Sequence, residues 1–110
     1  MMIETLKSNE VLIVRSFNNL DIGDGSEFIQ QLQARCSANL RKVILDFSHL
    51  KMLGSAGLRA LYLLSTEAQP CQVSLIATGL LPEVREVLDE RGFAALYKVV
   101  DSVEEGLAVR

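Results

Sequence analysis

Among 110 residues there is one histidine, there are two cysteines and two prolines, and there is no tryptophan. Positive charge is sparse: 11 lysines and arginines against 14 acids leave a net charge of −3, and only Arg41-Lys42 adjoin. A phosphate backbone needs a basic stripe, and none exists, so nucleic acid is not an expected partner. No run reaches the roughly 18 apolar residues that span a bilayer, and no membrane insertion is expected. Met1-Met2-Ile3-Glu4 has neither the basic nor the apolar region of a secretory signal, so a cytoplasmic protein is expected. Cys36 and Cys71 form no C-x-x-C pair. Lying within or beside apolar segments, they are expected as reduced core thiols, with a disulfide as the open alternative.

What is present is a chain 49% hydrophobic, long enough to bury roughly two thirds of its unfolded surface without disulfides or a structural metal. Residues 1–110 therefore read as a single domain. Ile3 to Leu6 and Val11 to Phe17 are β-type runs about Ser8-Asn9-Glu10, which predicts a hairpin. Ser26 is placed to cap a first helix with Phe28, Ile29, Leu32 and Cys36 on one face, ending near Asn39. Val43-Ile44-Leu45, wholly apolar and bounded by charge, predicts a central strand covered on both faces. Ser55 to Ala68 reads as a second helix stopped by Pro70, and Cys71 to Ile76 as the next strand. Pro82 to Arg91 is a third helix with Gly92 at its left-handed stop, and Phe93 to Val100 contains a last strand. Ser102-Val103-Glu104-Glu105 is a capping box opening a terminal helix with Val103 and Leu107 inward. The alternation predicts an α/β fold: a mixed sheet of about five strands, the later ones parallel, with about four helices. Chemistry in such folds gathers where parallel strands end, here Phe47 to Gly57 and Thr78 to Leu81.

Enzyme motifs fail on inspection. Ser55-Ala56-Gly57 is half of a nucleophile elbow, but position 53 is Leu53 where glycine is required. His49, the one histidine, lies in the same loop and reads as a solvated loop residue rather than a distal base. Gly23-Asp24-Gly25 starts like a dinucleotide fingerprint but continues to Phe28. Asp21, Asp24 and Glu27 suit the positive end of a helix, and no second set of ligands makes them a metal site. Neither a metal nor another cofactor is expected. Ser55, after Gly54, reads as the N-cap of the second helix, accepting from the N–H of Gly57 or Leu58. The same terminus would tolerate an added phosphate. Leu58, Leu61, Tyr62, Leu63 and Leu64 spread beyond one face, which fits either a deeply buried helix or a partner surface.

Val43-Ile44-Leu45-Asp46-Phe47-Ser48 followed by Met52-Leu53-Gly54-Ser55-Ala56-Gly57-Leu58 resembles the STAS domain family of anti-sigma factor antagonists. Leu20-Asp21 and Ser102 to Ala108 are similar to the family's Leu-Asp pair and its terminal helix. The resemblance implies a STAS-like fold in which the serine of D-S-x-G is phosphorylated by a partner that is both serine kinase and anti-sigma factor, and restored by a PP2C-type phosphatase. Here that serine is Ser55. It further implies a non-enzymatic module, a monomer or weak dimer, that holds its partner through Asp21, Ser48, Gly54, Ala56, Gly57, Leu58 and Tyr62 while Ser55 is unphosphorylated. The kinase would bind the ATP. Gly54 stands where the family carries an acid, and Asn18-Asn19 replace its usual glycine and acid. These departures leave open a constitutive interaction subunit of a signalling or lipid-transport complex, and a third reading is a small-molecule or nucleotide binder using Asp21 and the Phe47 to Gly57 loop.

Overall fold

The computed structural model describes residues 1–7, 10–18, 22–23, 25–36 and 38–109, the side chain of Ala94 excepted. Five strands, β1 (Met2–Leu6), β2 (Val11–Arg15), β3 (Lys42–Asp46), β4 (Ser74–Thr78) and β5 (Lys98–Val100), form one sheet in sequence order. β1 runs antiparallel to β2 as the hairpin requires, and β2 through β5 are mutually parallel. β3 is the middle strand, as its unbroken apolar run predicts. The described α-helices are α1 (Ser26–Gln33), α2 (Ser55–Ala68), α3 (Pro82–Glu90) and α4 (Val103–Ala108).

Strand side chains alternate between two cores. Leu12, Val14, Val43, Leu45, Leu75 and Ala77 meet Phe28, Ile29 and Leu32 of α1, Leu61 and Leu64 of α2, and Val84 and Leu88 of α3. The opposite residues, Val11, Ile13, Ile44 and Ile76, pack beneath α4 through Val103. Phe17 joins the larger core to the end of the sheet, its ring 5.2 Å from Phe47 and 5.6 Å from Phe28. Lys42 is an unexpected buried strand residue. Its Nζ donates to the carbonyls of Gly106 at 2.8 Å and Leu107 at 3.0 Å, and also to that of Val109.

Several boundaries differ from expectation. The residue capping α1 is Gly25, not Ser26; its φ of +91° suits glycine, and a Cβ there would stand 3.1 Å from Ala60 Cβ of α2. α1 stops at Gln33 rather than near Asn39 because the N–H groups of Arg35 and Cys36 bond three residues back, to Leu32 and Gln33. Beyond Ala68 the chain continues through Pro70 as a 3-10 turn, Gln69–Cys71, and Gln72 reverses it at φ 57°, so β4 starts at Ser74 rather than at Cys71. Both cysteines are free and exposed instead of core thiols, since each lies in a turn past a helix end. At the other termini the reading holds: Pro82 opens α3, Gly92 has φ +77°, and Ser102 Oγ accepts from Glu105 N at 3.1 Å.

Candidate functional site

The segment between β3 and α2 is built by alternating anchored and outward residues. Asp46, closing β3, accepts through Oδ1 from Ser48 N at 3.0 Å, which turns the chain out of the sheet. Phe47 N donates to Thr78 O at 2.8 Å and Leu50 N to Phe47 O at 2.9 Å. Phe47, Leu50 and Leu53 point into the core, while Ser48, His49, Lys51, Met52 and Gly54 face out. Gly79 supports this loop from β4's end: its φ is +69°, and a Cβ there would lie 2.7 Å from Asp46 Oδ1 and 3.2 Å from Ser48 N. Glycine at 79 thus leaves room for the Asp46 turn.

Ser55 is not the N-cap. Gly54, in extended conformation, holds that position and its carbonyl takes the Leu58 N–H at 3.0 Å, so Ser55 is already the first helical residue. No side chain caps the helix, and Ser55 is exposed at its first turn. Gly57 faces inward: a Cβ there would fall 2.6 Å from Leu53 Cδ1, so the missing side chain lets Leu53 fold beneath the first turn. Ala56 is half-buried, with its carbonyl beside Gly25. Helical spacing sets Ser55, Leu58 and Tyr62 along one stripe. Leu58 is half-buried there, while Tyr62 is 58% exposed.

The structure therefore brings Ser55, Leu58 and Tyr62 to one outward surface, with Ser48 in the adjoining loop, and turns Gly57 inward. Asp21 and Leu20 lie outside the described residues. Met52, 66% exposed beside the head of α2, is a surface residue that sequence reasoning left unassigned. The signal that could have found it was its place between two buried leucines, Leu50 and Leu53. His49 is exposed, 3.3 Å from Ser48 Oγ through Nδ1. Among the described residues no three acidic, histidine or cysteine side chains come together to hold a metal ion. No described helix is long and apolar enough to cross a membrane. The site offers a hydroxyl at a helix start, framed by exposed apolar groups.

Comparison with known proteins agrees with this architecture. Residues 2–106 match the STAS domain family. A Bordetella bronchiseptica protein, BtrV, named for an anti-sigma factor antagonist role, is 35% identical over 83 residues, 72% of each chain. Among solved structures, a Thermotoga maritima protein named for an anti-sigma factor antagonist role superimposes with a TM-score of 0.80 at 14% identity, covering 97% of this chain and 91% of that one. A serine-to-glutamate variant of RsbS from Moorella thermoacetica gives 0.79 at 19% identity, covering 96% and 92%. The anti-sigma factor antagonist SpoIIAA in its unphosphorylated form gives 0.74 at 16% identity, covering 94% and 90%.

Proposed function

The chain belongs to the STAS domain family, and on that premise we propose that it is an anti-sigma factor antagonist, a regulatory binding module switched by phosphorylation of Ser55. The observation carrying this reading is the exposed Ser55 hydroxyl at the first position of α2, on the same helix stripe as Leu58 and Tyr62. The unmodified surface, with Ser48 and Met52 at its edge, binds an anti-sigma factor that is also a serine kinase. Asp21 extends the contact, and Gly54, Ala56 and Gly57 shape it. A PP2C-type phosphatase removes the phosphate. The module is itself non-enzymatic, works in the cytoplasm as one domain and needs no cofactor.

The release step follows from charge. A phosphoserine adds roughly −1.5 to −2 charges. At a helix N-terminus the free N–H groups and the dipole tolerate that charge, so the fold survives. Against an apolar contact that must exclude water the same charge is mispaired, at a cost of several kcal/mol, where about 1.4 kcal/mol is tenfold in affinity.

The test is to isolate the protein from its host with whatever binds it and map phosphate by peptide mass spectrometry. Phosphate on Ser55 is expected, with a kinase recovered alongside the unmodified form. Ser55→Ala should abolish the modification and keep the partner, and Ser55→Asp should weaken binding at least tenfold in calorimetry. An unmodified Ser55 in every growth condition, with a stable non-kinase partner, would sink the switch. One observation favours that second reading, a constitutive interaction subunit: Gly54 occupies the place of the family's acid.

A further inference from the structure

α2 is 14 residues long, about 21 Å, and a cavity of about 350 Å³ lies against the end remote from Ser55. Leu32, Val43, Leu64 and Leu75 give it an apolar interior. Cys36 reaches it from the turn after α1, and Cys71 from the 3-10 turn after α2. Gln33 of α1 donates to Glu67 of α2 beside it, holding together the two helices that carry the turns. Two thiols far apart in sequence thus open onto one space, and both are free and exposed.

We propose that Cys36 and Cys71 form a reversible disulfide across this cavity when the protein meets a low-molecular-weight disulfide such as oxidised glutathione. The thiols divide the work. Cys36 Sγ donates to Leu32 O at 3.2 Å, and burial first, then the neighbouring Cys71 and Glu67, push its pKa above 9.0, which keeps it a thiol. Both thiols are open to the oxidant, and Cys71 rather than the hydrogen-bonded Cys36 reacts first. Its thiolate attacks one sulfur of the oxidant, the oxidant's S–S bond breaks, and one glutathione thiolate leaves. Cys36 then loses its proton and attacks the Cys71 sulfur, expelling the second glutathione. The protein gives up two hydrogens in total, and one molecule of disulfide is reduced to two thiols. Disulfides of cytosolic proteins are usually transient and redox-sensing, which fits a bridge between exposed turns better than a permanent staple. This inference rests on the cavity and its thiols, independently of the role of Ser55.

The experiment incubates the full chain with oxidised glutathione in native buffer, followed by alkylation and intact and peptide mass spectrometry. The expected product is a monomer lighter by two hydrogens, with the Cys36 and Cys71 peptides joined. Dithiothreitol should reverse it, and the melting temperature of the bridged form should rise by about 5–15 °C. Cys36→Ser should trap glutathione on Cys71. Stable glutathione adducts on both wild-type thiols, intermolecular dimers, two unreacted thiols, or a bridge forming no faster than in guanidinium-unfolded chain would each overturn the proposal.

Discussion

At position 54 the backbone is extended, with φ −98° and ψ −171°, and a Cβ built there would meet nothing within 4 Å. Glycine is therefore not demanded by the conformation, and the acid that the family carries there would fit. Gly54→Asp would supply the missing cap on α2, worth a few tenths of a kcal/mol over glycine, and a negative charge at the helix start, worth about 0.3–1 kcal/mol. A melting temperature higher by about 2–6 °C is expected in thermal denaturation, with part of the gain lost in high salt. At this scale the sequence was legible to within one residue. It put a serine and a glycine at the head of α2 but assigned the cap to the serine, because serine is the better capping residue in isolation. What decides the matter is the path of the loop, anchored by Leu50 and Leu53, which leaves Gly54 rather than Ser55 in extended conformation. Gly57 was likewise visible as part of a motif, yet its inward role depends on where Leu53 folds.

Among the elements, α4 is the shortest α-helix described and the one with the most explicit fastening. At its start Ser102 Oγ accepts from Glu105 N, and the Glu105 carboxylate accepts from Asp101 N at 2.9 Å. At its end the Lys42 ammonium serves the carbonyls of Gly106, Leu107 and Val109, a cation at the negative pole of the helix. Lys42→Met would keep most of the volume and leave these carbonyls without their charged donor. A loss of about 2–3 kcal/mol is expected in denaturant unfolding, with faster amide hydrogen exchange in α4 than in α2. The first half of this fastening was legible, since the capping box is local. The second was not: Lys42 reads as a charged boundary to an apolar strand, and only its neighbour across 64 positions explains its burial. Early termination of α1 at Gln33 was hidden for a related reason, because Cys36 continues the apolar spacing past the point where the backbone has tightened.

For the molecule as a whole, alkaline pH separates two buried groups. Tyr97 donates its hydroxyl to Leu61 O at 2.7 Å, and burial pushes its pKa far above the ordinary 10.0. Above pH 10 the unfolded chain releases this proton and the folded chain keeps it, so stability falls as pH rises. Lys42 acts oppositely: burial, then Lys7, lower its pKa from 10.5, so between the lowered value and 10.5 the unfolded chain holds more protons and stability rises with pH. The displacement of Tyr97 is the larger and governs above 10.5. Chemical denaturation across pH 9–11.5 should show a decline approaching about 1.4 kcal/mol per pH unit. Tyr97→Phe should flatten that decline while costing about 1 kcal/mol at neutral pH. The opening hairpin, the parallel later strands and the central place of β3 were the most legible features at this scale, because right-handed crossovers leave few alternatives; the structure adds the order, which follows the sequence. That order also has a temporal meaning. Each strand pairs with the one made just before it, so a chain leaving the ribosome can add its sheet stepwise and complete the α1–α3 face as it grows. Ile13, Ile44 and Ile76 on the reverse face have to wait for α4, so these three side chains stay open to chaperones and aggregation until that helix has been made.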